Sequence, residues 1–70
     1  MVSPERLTEI GLSQEDIAEF TRLEALGQYA LQERLLRRYR NLYLDDVHKS
    51  EKRISDLDYI LYEMKREHGR

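Results

Sequence analysis

The 70-residue chain has no cysteine, no tryptophan, a single proline and three glycines. Without cysteine, disulfides and thiolate metal sites are excluded, and a reducing, cytoplasmic setting is expected. No apolar run approaches the roughly 18 residues of a membrane span. The segment Met1-Val2-Ser3-Pro4-Glu5 has no basic stretch followed by an apolar core, so no signal peptide is expected. An excess of one charge is missing too. Lys and Arg number 12 against 14 Asp and Glu, a net −2, which does not describe a general polyanion binder.

Catalytic furniture is equally scarce. There is no glycine-rich phosphate loop and no nucleophile elbow. Ser3 and Ser13 read as helix caps, Ser50 and Ser55 as helix-surface residues. Asp56 and Asp58 are two apart, on different faces of a helix, so they do not form an acid–base pair. His48 follows Asp45 by three, but a structural metal site needs about four ligands and only His68 remains to add. His68 more simply complements a helix C-terminus. No catalytic, cofactor-binding or metal-ligating residue is therefore expected, and no cofactor.

What the chain does have is helical pattern. Ser3-Pro4-Glu5 is a helix start, with serine as N-cap, proline in the first turn and an acid near the positive dipole end. This first helix is predicted over 4–10, stopping at Gly11 with Leu12 folding back on Leu7. Ser13 caps a second helix over 14–26, with Asp16 three residues on and Leu12 and Ile17 as a hydrophobic staple. Ile17, Phe20, Leu23 and Leu26 lie on one side, and Gly27 is the candidate stop. From Ala30 to Glu67 there is neither glycine nor proline, which predicts one long helix over 30–67, about 57 Å at 1.5 Å per residue. The expectation is one all-α domain spanning 1–70: two short helices and one long one.

Positions 36, 40, 43, 47, 50, 54, 57, 61 and 64 step by four and three, and seven of these nine are apolar: Leu36, Tyr43, Val47, Ile54, Leu57, Leu61 and Met64. That is the seam of a coiled coil. Leu35, Tyr39 and Leu42 widen it at one end and Ile60 at the other. It narrows at Val47, among Asp45, Asp46, Lys49 and Lys52. An intramolecular hairpin with the second helix covers the first half only. It leaves Ile54, Leu57, Ile60, Leu61 and Met64 bare, a stripe uncommon on a monomer. A homodimer of antiparallel long helices is therefore expected, with those seven residues at its interface. The five tyrosines (29, 39, 43, 59, 62) read as ordinary seam-edge packing.

Arg34, Arg37, Arg38 and Arg40 form the one single-signed run. Read functionally it contacts phosphates; read plainly it is a solvated face with acids such as Glu33 one turn away. In a net-negative chain the plain reading is favoured.

Two stretches together resemble the MerR family of transcription regulators. Gly11-Leu12-Ser13-Gln14-Glu15-Asp16-Ile17 is similar to the turn joining the two short helices that follow that family's winged helix-turn-helix. Leu57-Asp58-Tyr59-Ile60-Leu61-Tyr62-Glu63 is similar to the end of its C-terminal dimerisation helix. A glycine near position 27 and Glu33-Arg34 agree in order and spacing, so the resemblance covers about residues 5–67. It implies a helical dimerisation module acting on transcription through protein contacts, with itself and a full-length MerR-like regulator as partners. The family's metal-sensing cysteines are absent, and no helix-turn-helix is expected before Gly11. Two alternatives stand beside this reading. One is a small nucleic-acid-binding regulator using the Arg34–Arg40 face. The other is a helical hairpin similar to the aspartyl-phosphate phosphatases of sporulation control, whose Ser-Gln-Glu-Leu-Asp motif Ser55-Asp56-Leu57-Asp58 resembles one residue short.

Overall fold

The computed structural model describes residues 2–45 and 47–68, and among these the side chains of all but 47–50 and 68. Among the described residues four helices follow one another: α1 (Pro4–Glu9), α2 (Gln14–Ala25), α3 (Tyr29–Leu44) and α4 (Val47–His68). No strand occurs among the described residues. The all-α expectation is met.

Both short helices begin and end on local chemistry. Ser3 Oγ accepts from the Arg6 N–H at 3.3 Å and Ser13 Oγ from the Asp16 N–H at 3.1 Å, each satisfying a first-turn donor that the helix leaves unpaired. Each ends in a left-handed glycine, Gly11 at φ +99° and Gly27 at φ +72°. The Leu12 N–H reaches the Leu7 carbonyl at 3.1 Å and the Gln28 N–H reaches Leu23 at 2.9 Å. These are the closing bonds of two Schellman motifs.

The long helix predicted over 30–67 is not one element. α3 ends at Leu44, α4 begins at Val47, and α4 folds back along α3. Antiparallel return is fixed by Arg40 meeting Asp58 and by Arg53 lying over Tyr43. The molecule is 35 Å in its longest dimension, well short of the rod. The physical reason is the same bare stripe that suggested a second chain. Folding back covers it within one chain, and closing a short connector costs far less entropy than recruiting a partner. α3 gives way at Asp45, and aspartate is a poor helix former and a good turn residue.

The helices share one core. α3 packs on α4, α2 on α3 and α1 on α2. Leu7 and Ile10 of the α1 end, Leu12 of the connection, Ile17 and Phe20 of α2, Leu35 and Leu36 of α3, and Leu57, Ile60 and Met64 of α4 form a single buried cluster. Among the described residues one polar side chain is buried with them. Gln32 Nε2 donates to the Phe20 carbonyl at 3.2 Å, so its amide is not left unpaired, which would cost about 1–3 kcal/mol.

Candidate interaction surfaces

Six of the seven residues expected at a dimer interface are used inside the chain. Leu36, Leu57 and Met64 are buried; Tyr43, Ile54 and Leu61 are half-buried. Val47 lies where side chains are outside the described residues. Ile60, expected only to widen the seam, is as fully buried as Leu57. The uncovered C-terminal stripe therefore does not exist in the closed chain. Leu26 and Leu42, expected to face the core, are instead 58% exposed. Leu26 falls on the α2 C-cap, where the chain is already turning away.

Two tyrosines of α3 fasten the hairpin to the α1–α2 connection. Tyr43 Oη donates to the Ile10 carbonyl at 2.6 Å. The Arg53 guanidinium lies 5.5 Å from the centre of the Tyr43 ring, a cation–π distance. Burial raises the Tyr43 pKa, the Arg53 charge opposing this. Tyr39 donates to Asp16 and accepts from the Ser13 N–H at 3.3 Å. The acid expected to serve a capping box is thus turned to α3. On the other side Arg6 reaches from α1 to Glu63 at 3.2 Å and lies over the Tyr59 ring, holding α1 to α4.

The arginine run divides. Arg40 turns to α4 and pairs with Asp58 at 2.6 Å; the hydrogen bond to that carboxylate raises the Arg40 pKa. Arg37 pairs with Glu33 at 2.9 Å and Arg38 with Asp16 at 3.5 Å. Among the described residues Arg34 has no ion-pair partner. The four arginines therefore do not present one face. Arg34, Arg37 and Arg38 instead face α2, where Arg22 joins them. Arg22 is held by a two-point contact with Glu19. The hydrogen bond from Arg22 lowers the Glu19 pKa.

Between α2 and α3 these side chains line an open groove of about 660 Å³ that also includes Leu23, Leu31, Leu35, Asp16, Glu19 and Asn41. Sequence reasoning missed it. Arg22 and Arg34 are twelve residues apart, and only the tight Gly27 turn brings them together. That turn was legible, but the facing of the two helices beyond it was not.

Ser55, Asp56 and Asp58 lie on α4 beside buried Leu57, with Asp58 engaged by Arg40. No group of three or more metal-ligating side chains occurs among the described residues. No helix of the described residues is long and apolar enough to cross a membrane. Comparison with protein-family models, curated proteins and solved structures finds no match.

Proposed function

We propose that this chain is a protein–protein association module whose working surface is the α3–α4 seam, made within one chain or between two. The observation that supports it is the connection between the two helices. Neither glycine nor proline occurs from Ala30 to Glu67, and Asp45 keeps a right-handed helical backbone at φ −72°, ψ −19°. α3 and α4 can therefore run on as one helix. That opens Leu36, Leu57, Ile60 and Met64 to a second copy, which rebuilds the same contacts across an antiparallel dimer. α3 ends at Leu44 and α4 begins at Val47, at the short limit for helical hairpins, about 2–5 residues, and short hinges invite such exchange.

In this reading the expected homodimer is an exchanged form of the hairpin. By the resemblance to the MerR dimerisation region, a full-length regulator of that type offers a similar long helix. Pairing with it would act on transcription through protein contacts, without this chain reading DNA. The test is light scattering and sedimentation across the micromolar range. Mass should rise from 8.5 kDa toward twice that value, and D45A/D46A, which favours a continuous helix, should move the rise to lower concentration. A wild type and variant that both stay monomeric at every concentration defeat the proposal.

A phosphatase-like duty is the second reading, favoured by the hairpin itself and by Ser55-Asp56-Leu57-Asp58 on its return helix. Hydrolysis of a phospho-aspartyl response regulator, lost in Asp58→Asn, would support it. No acceleration over spontaneous hydrolysis would remove it.

A further inference from the structure

We infer that the α2–α3 groove is a second, separate docking site, and that its occupant is an acidic amphipathic peptide helix with an apolar anchor. The charge there runs against that of the chain. Arg22, Arg34, Arg37 and Arg38 line it against Asp16 and Glu19, four cations to two anions, or +2, within a chain of net −2. Arg34 has no ion-pair partner among the described residues. The pairs made by Arg22 and Arg37 are local, three and four residues along their own helices, and more than half of each arginine side chain is exposed. Such exposed pairs hold weakly, so a carboxylate on a partner can replace Glu19 or Glu33 at little cost.

The apolar part of the groove decides what kind of anion fits. Leu23 and Leu35 are buried beneath it, while Leu31 is 42% exposed at its edge. An apolar side chain seated on Leu31, flanked by acids reaching Arg34 and Arg38, satisfies both parts. This is the arrangement by which amphipathic helices are read in grooves. A nucleic-acid backbone suits it less well, because it would leave the leucines unused. Arg40, the remaining member of the run, is committed to Asp58 on the other side of α3.

The inference is independent of the α3–α4 seam, because α2 and α3 face each other in the same way whether the seam closes within one chain or between two. Its test is fluorescence anisotropy with a labelled acidic peptide of about 15 residues, long enough to become helical on binding. Glutamates would flank leucines at i, i+3, i+4 and i+7. The probes for comparison are a peptide of the same composition with the leucines scattered around the helix, and a duplex DNA of random sequence. Saturable binding of the amphipathic peptide is expected, weakened at least about tenfold by Arg34→Glu and by Leu31→Ser. Circular dichroism should show both variants folded, since both side chains are exposed. Equal binding of the scattered peptide, tighter binding of the DNA, or no saturable binding of the amphipathic peptide would each overturn the assignment.

Discussion

The hydroxyl of Tyr43 occupies the space beside Gly11 that any other residue would need. A Cβ built on Gly11 comes 2.5 Å from Tyr43 Oη and 3.2 Å from Arg53 Nη1, while the same hydroxyl donates to Ile10 at 2.6 Å. Gly11 therefore serves two ends. It supplies φ +99° for the α1 stop, and it leaves room for α3 and α4 to close over that stop.

Gly11→Ala should accordingly be destabilising by more than the left-handed backbone alone, which costs about 1–2 kcal/mol. Tyr43→Phe removes the obstructing oxygen and the bond to Ile10. The two substitutions together should cost less than the sum of each alone, measured by urea unfolding as a double-mutant cycle. Strict additivity would mean that Tyr43 does not approach Gly11.

Burial raises the pKa of Tyr43 in the folded chain. A raised folded value means that its contribution is fully present below the unfolded tyrosine pKa, about 10, and is lost as pH rises through the folded value. Stability should therefore fall in that alkaline window, and Tyr43→Phe should flatten the fall while lowering stability at neutral pH. Thermal melts between neutral and strongly alkaline pH check this; an unchanged alkaline slope in the variant contradicts it.

Leu57 has no exposed surface and sits between the helices. Leu57→Asp places an unpaired charge there, at a cost of several kcal/mol, which approaches the whole stability of a domain this small. The variant should lose most of its helical circular dichroism at any concentration. Glu51→Asp, at an exposed position, should leave the spectrum nearly unchanged. Equal effects would place the wrong face of α4 inward.

The parts of the fold written in local chemistry were legible in the sequence. Ser3-Pro4, Ser13, Gly11 and Gly27 act over a few residues, and the structure places α1 and α2 within a residue or two of where they are expected. The apolar residues of the seam were also legible as a set. What covers them was not. Covering by a second chain and covering by a fold-back satisfy the same spacing, and no glycine or proline marks the turn. The available signal was the stretch from Asp45 to Arg53, polar but for Val47, which opens on two adjacent aspartates. The α2–α3 groove was illegible for another reason. Arg22, Arg34 and Leu31 come together only through the angle at which α3 leaves Gly27, and local pattern does not set that angle.

The shared use of the α3–α4 seam is tested most directly by one intrachain distance. Because the chain has no cysteine, a pair of spin labels can be placed on one chain at L31C and K65C, both at exposed positions, and that chain diluted with unlabelled chain. In the closed hairpin the labels lie within a molecule 35 Å long. In a continuous helix the 34 intervening steps separate their backbones by about 51 Å at 1.5 Å per residue. The account predicts the shorter distance in the monomer and the longer one in the dimer, with the longer population growing as unlabelled chain is added. A dimer that keeps the shorter distance would contradict exchange, since two closed hairpins would then be associating through some other surface.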